Sequence, residues 1–343
     1  MNFRLSAIML VFVLLNFTSC DNSPKQKEEK IYSEDVEIDD LSRLIAKSPN
    51  DTGLLMQRAK AYTSKEAYNS AISDLKHLIQ IDSLDANAYN LLSDCYMDSY
   101  QSRLSLETME EAAQRFPSNI HTQLKLSETQ YILNKNDLSI MTINKILAND
   151  PQNAEAYFML GLNFRAMGDL TRAKNAFQTA TEFDSDLVDA WIILGDIYGS
   201  EGNPKAKEYY ESAMRISNNA TNVLHSYAFY LQNNGEVDKA LDLYKKINLI
   251  DREYGDAYLN AGVLYIEKDS LDKAFEQFNL LCQIDPANYY GYMYRGIVLK
   301  LEGRIEEGNK DIESCLNLTN QNEEVKDQII KIEEMLGIDK KYQ

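Results

Sequence analysis

Residues 154–187 read AEAYFMLGLNFRAMGDLTRAKNAFQTATEFDSDL, two helical stripes separated by one turn. Tyr157, Leu160, Gly161 and Phe164 fall at i, i+3, i+4 and i+7, and Ala173, Phe177 and Ala180 repeat that spacing one helix later. This is the pattern of amphipathic α-helices. Gly168-Asp169 interrupts it, as Asn234-Gly235 and Glu302-Gly303 do further along, so the stretch is a pair of short antiparallel helices. A small residue on each helix lets the backbones approach, and the larger side chains a turn away fill the remaining groove. One such hairpin cannot cover its own apolar face and must be stacked on neighbours.

The stacking partners are visible as a grid. Ala59, Ser93, Ser127, Gly161, Gly195, Ala228, Gly262 and Gly296 recur every 34 residues with a single step of 33. Ala71, Ser105, Ser139, Ala173, Ala206, Ala240, Ala274 and Gly308 form a second series with the same slip. Two registers that lose one residue together place a deletion between Gly195 and Ala206. Pro49, Pro117, Pro151 and Pro286 keep the same phase. A period of this length is the mark of a helical solenoid.

These residues resemble the tetratricopeptide repeat, whose signature places an aromatic, Leu-Gly and Tyr on the first helix and Ala, Phe, Ala and Pro on the second. Residues 154–187 match it closely, with Ser185 in place of the final Pro; residues 255–288 match through Tyr258, Gly262, Tyr265, Ala274, Phe278 and Pro286. The resemblance implies an all-α fold, a right-handed superhelical solenoid of about eight helix hairpins spanning 52–322 as one continuous domain. Its repeats are 52–85, 86–119, 120–153, 154–187, 188–220, 221–254, 255–288 and 289–322. The repeat at 120–153 matches worst, with Gln123 and Gln130 where aromatics belong, and the sequence does not decide whether it is regular, distorted or a break in the stack. Capping helices are expected in 34–51, where Leu41 and Leu44 precede Pro49, and in 323–343, where Val325, Ile329, Ile332 and Leu336 form one stripe that ends at Gly337.

The first residues carry an address. Arg4 precedes an apolar run from Ala7 to Leu15, then Phe17-Thr18-Ser19-Cys20, a run too short to span a bilayer comfortably. Residues 1–19 resemble a bacterial lipoprotein signal, which implies lipidation of Cys20; a plainly cleaved signal and an uncleaved anchor are the other readings. Residues 20–33 are polar and read as a flexible tether. The implied location is the cell envelope, lipid-anchored. Asp21 resembles inner-membrane retention signals in some bacteria and outward sorting signals in others. The outer membrane is favoured, with its face undecided.

Composition narrows the function further. Thirty-five basic against fifty-three acidic residues give a net charge of −18 over 343 residues, which disfavours nucleic acid and anionic headgroups. His77, His121 and His225 lie in different repeats, outside any metal-binding pair, and there is no phosphate-cradling loop. Cys95, Cys282 and Cys315 read as buried thiols. No cofactor, no metal and no catalytic group is expected. The sequence does not decide the oligomeric state.

What remains is binding. In tetratricopeptide arrays the concave surface is lined by the second, fifth, ninth and twelfth positions of each first helix. Early repeats place Met56, Lys60, Asn87, Asn90, Asp94 and Glu128 there. Later ones place Phe158, Leu162, Ile192, Phe229, Leu259, Val263, Ile266, Tyr290, Met293 and Ile297, an apolar strip rimmed by Glu155, Asp189, Asp196, Asp256 and Glu267. The expected occupant is an amphipathic or extended apolar segment of another protein, with basic residues flanking its anchors. The cationic set that clamps chaperone C-termini is missing from any three neighbouring repeats. The chain thus resembles envelope lipoproteins that scaffold assembly, secretion or peptidoglycan-remodelling machines. The alternative is a surface-exposed glycan-binding lipoprotein, although these carry a large non-repeat insertion for the sugar.

Overall fold

A computed structural model describes residues 35–338, which form eighteen α-helices and no strand. The signal, Cys20 and the tether lie outside the described residues. The described residues divide into two compact units, 35–82 and 83–338.

In the first unit, α1 (Val36–Lys47) precedes the hairpin of α2 (Thr52–Ser64) and α3 (Tyr68–Ile81). Asp35 and Asp51 cap the first two of these helices, accepting from the backbone N–H groups of Glu37 and Leu54 at 3.0 Å. Ile38 and Leu41 are buried with Ala61, while Leu44 is exposed and its expected place is taken by Ile45.

The second unit contains seven hairpins in chain order. They are α4 (Ala86–Asp98) with α5 (Ser102–Arg115), α6 (Ile120–Ile132) with α7 (Asn136–Asn149), and α8 (Ala154–Ala166) with α9 (Leu170–Phe183). Then come α10 (Val188–Ser200) with α11 (Ala206–Ile216), α12 (Thr221–Asn233) with α13 (Val237–Ile250), α14 (Gly255–Glu267) with α15 (Leu271–Ile284), and α16 (Tyr289–Leu301) with α17 (Ile305–Leu318). The helix α18 (Glu323–Met335) closes the unit, with Val325 and Ile329 buried against α16 and α17.

Both small-residue series are buried without exception. Ser93 and Ser105 share a hydrogen bond of 2.8 Å between their hydroxyls, and Ser139 donates to the Ser127 carbonyl at 2.8 Å, so a serine pair serves as well as an alanine pair. Within each hairpin the turn passes through one left-handed residue: Glu66, Tyr100, Asn134, Gly168, Gly202, Gly235, Asp269 and Gly303 all have positive φ. The interval shrinks to 33 between Gly202 and Gly235, which narrows the deletion to the segment between Gly202 and Ala206. Second helices elsewhere have 14 residues and begin three residues ahead of their small residue; α11 has 11 and begins on Ala206 itself. The missing residue removes the first turn of one helix and leaves the register intact.

The repeat at 120–153, which the sequence leaves undecided, is regular. Its helices have the same 13 and 14 residues as their neighbours. Thr142 donates to Gln130 Oε1 at 2.9 Å within the hairpin, and the Gln123 amide donates to the Ala113 carbonyl at 3.0 Å. Polar groups in place of rings are tolerated because each finds a partner.

Candidate functional site

The first helices of three successive hairpins in the second unit enclose a concavity of about 560 Å³. Its wall is built from Arg165 on α8, Asp196, Ile197 and Ser200 on α10, and His225, Ser226 and Phe229 on α12, with Leu170 of α9 at one side. Phe229 keeps 49% of its surface exposed, so a ring stands in water at the edge of the cavity. The residues that bury α12 are Val223, Leu224, Tyr227, Ala228 and Leu231, and Phe229 points away from that face.

The polar wall is held from behind. Tyr210 of α11 donates its hydroxyl to Asp196 Oδ1 at 2.6 Å, a short charge-assisted bond that fixes the carboxylate at the ninth position of α10. Burial and the Asp196 charge push the Tyr210 phenol well above its usual range. Tyr210 in turn stacks on Tyr227 with centroids 5.4 Å apart, and Tyr230 lies at 5.1 Å. Asn260 of α14 meets His225 Nε2 at 3.1 Å, and the imidazole is flanked by Tyr254 and Tyr244 at 5.5 and 5.9 Å. Burial lowers its pKa from the ordinary histidine value, with Asp256 opposing.

Of the ten partner-binding residues expected from the sequence, this concavity brings together Asp196 and Phe229. Phe158 is half-buried with its ring 5.6 Å from Phe177, and Leu162 packs on the same core. Ile192 lies against the Tyr210 and Leu231 cluster, and Leu259, Val263 and Ile266 lie against Ala274, Phe278 and Val298. Met293 and Ile297 are corrected: both are fully buried with Cys315, Val325 and Ile329. The terminal helix α18 covers the face that they would have offered to a ligand, and Tyr290 packs on the same cluster.

In the early part of the second unit, Asp94 and Glu128 both pair with Lys125, at 2.7 and 2.9 Å. Asn90 is buried and neither atom of its amide has a hydrogen-bond partner. In the first unit Lys60 is exposed and Met56 half-buried. The rim residues Glu155, Asp189, Asp256 and Glu267 are exposed.

Sequence reasoning missed Arg165 and His225. They occupy the twelfth position of α8 and the fifth of α12, inside the series that marks the concave face, where their polar side chains interrupt the apolar strip. Among the described residues there is no cluster of three or more His, Cys, Asp or Glu side chains that could hold a metal, and no helix long and apolar enough to cross a membrane. Cys95, Cys282 and Cys315 are buried, and burial raises the thiols of Cys282 and Cys315 to about 11.

The family model described as "Tetratricopeptide repeat" matches residues 154–187, 188–219 and 255–288. The chain is 29% identical over 160 residues to a TPR repeat-containing protein of Dictyostelium discoideum, covering 44% of this chain and 61% of that one. It is 22% identical over 269 residues to the human mitochondrial import receptor subunit TOM70, covering 74% of this chain and 43% of the receptor subunit. It therefore spans less than two thirds of the length of either relative. A solved tetratricopeptide repeat protein from Parabacteroides merdae superposes with a TM-score of 0.50 at 14% identity, over 72% of this chain and 97% of that one, a likeness of fold alone. The three matched stretches carry tetratricopeptide repeats.

Proposed function

We propose that this protein is a non-enzymatic interaction scaffold of the cell envelope, held there by a lipid on Cys20, that takes an apolar or amphipathic segment of a partner protein along the first-helix face of its second unit. One observation carries the reading: a cavity of about 560 Å³ with Phe229 half exposed at its wall. An exposed ring in a concave site, with a carboxylate positioned beside it, is the arrangement that accepts an apolar anchor flanked by a basic residue. Phe158, Leu162, Ile192, Leu259, Val263 and Ile266 extend this surface through the parts of their side chains that the core leaves uncovered.

The test is capture from detergent-solubilised envelopes with full-length protein. Phe229→Asp is expected to lose the partner that the wild type retains, at an unchanged melting temperature. Equal recovery by both proteins would remove the groove from the account. The anchor is tested separately. Cys20→Ala should leave a folded protein that no longer sediments with membranes, and full sedimentation of that variant would contradict lipidation.

A further inference from the structure

The fourth position of each first helix is apolar in seven of the eight repeats and a ring in five of them: Tyr89, Tyr157, Trp191, Tyr258 and Tyr292. In two hairpins that ring meets another at the end of the second helix: Tyr89 lies 5.9 Å from Phe116, and Tyr157 lies 5.6 Å from Phe183. The repeat at 120–153 puts amides where 154–187 has Tyr157 and Phe183, namely Gln123 and Asn149. A depression of about 350 Å³ opens between them, floored by Ile120 and Ile146 and bordered by Lys145.

We propose that this depression is a second binding site, distinct from the concave groove, that takes an aromatic residue at the carboxyl terminus of a partner chain. The volume is at the small end of ligand pockets, the scale of one residue. Its shape follows from what neighbouring repeats put in the same place, a ring between the two helices. Gln123 cannot fill it, because its amide is drawn back to cap α5, donating to the carbonyls of Ala113 and Phe116 at 3.0 and 3.4 Å. The charge follows from the lining. No carboxylate borders the depression, while Lys145 does and enters no salt bridge among the described residues. In a chain of net charge −18, a cation beside an acid-free apolar floor selects an anion attached to a ring. The terminal carboxylate meets Lys145, and the ring enters the space between the two helices, since the Gln123 and Asn149 amides already donate to backbone carbonyls at the end of α5 and of Lys145.

The experiment titrates an octapeptide ending in Trp with a free carboxylate, the same peptide amidated, and N-acetyltryptophan, followed by amide chemical shifts of the full-length protein. The free-carboxylate peptide is expected to bind, with amidation weakening it about tenfold. Lys145→Gln should produce the same loss and abolish the difference between the two peptides. Gln123→Trp, which restores the ring of the other repeats, should abolish binding and raise the melting temperature; Asn149→Phe fills the depression from the opposite helix should that variant fail to fold. Absence of binding by the wild type, or binding that survives both filled variants, would overturn the proposal. N-acetyltryptophan binding as tightly as the peptide would overturn the chain-end assignment in favour of a small aromatic acid. None of these readouts involves Phe229, so the two sites fail or stand separately.

Discussion

Gly161 and Phe177 meet so closely that a Cβ added to the glycine would lie 2.5 Å from ring atom Cε1. The same relation joins Gly262 to Phe278 at 2.5 Å and Gly195 to Tyr210 at 2.9 Å. The small residue of the first helix is thus the seat of a ring from the second. In the last hairpin, which lacks that ring, the glycines approach each other directly: a Cβ on Gly308 would lie 2.6 Å from the Gly296 carbonyl oxygen.

Gly161→Ala should therefore destabilise the second unit by about 1–3 kcal/mol through overpacking, against the small gain that Ala normally brings to a helix interior. Combining it with Phe177→Leu should recover part of that loss, a coupling measurable by urea unfolding of the four proteins. Additive losses would mean that the ring does not occupy the glycine's space.

Arg295 binds both carboxylate oxygens of Asp311, at 2.7 and 2.8 Å, and Asn279 at 2.8 Å. Arg58 does the same to Asp74 in the first unit, with Ser42 as its third partner. The repeats at 86–119 and 120–153 put Leu and Thr at these positions, Leu92 with Thr108 and Leu126 with Thr142. Asp311→Asn should cost about 3 kcal/mol, because it leaves a largely buried guanidinium without its counter-charge. The double variant Arg295→Leu with Asp311→Thr should be more stable than Asp311→Asn in chemical denaturation, and a less stable double variant would contradict the assignment.

His225 titrates below its ordinary value because it is buried, with Asp256 as the facing carboxylate and the rings of Tyr244 and Tyr254 against it. The unfolded chain takes up this proton first as the pH falls. Stability tied to the neutral imidazole is present above about pH 6.5 and is lost as acidity increases below it. His225→Gln should lose less melting temperature between pH 7 and pH 5 than the wild type, and equal losses would show that the imidazole protonates freely in the fold.

The hairpins were legible because they need small residues at fixed intervals, and Gly161 with Ala173 states that need openly. A further periodic signal was present and unused: Asp51, Asp85, Asn119, Asn153 and Asn288 cap first helices with their side chains. The groove was legible in position and only partly in content. Position along a repeat places Met293 and Ile297 on the concave face, yet α18 covers them, and a terminal helix obeys no repeat. The regularity of 120–153 escaped notice for a related reason: Gln130 breaks the residue pattern, and its hydrogen bond to Thr142 involves a partner twelve residues away.

The most direct measurement is site-specific photo-crosslinking in the living cell, with a benzophenone side chain at Phe229 and, separately, at Leu249 on α13, which is 75% exposed and outside the concavity. The account predicts one discrete crosslinked product from position 229, weakened by Asp196→Lys, and none of that mass from position 249. The same product from both positions, or from 249 alone, would contradict recognition in the groove.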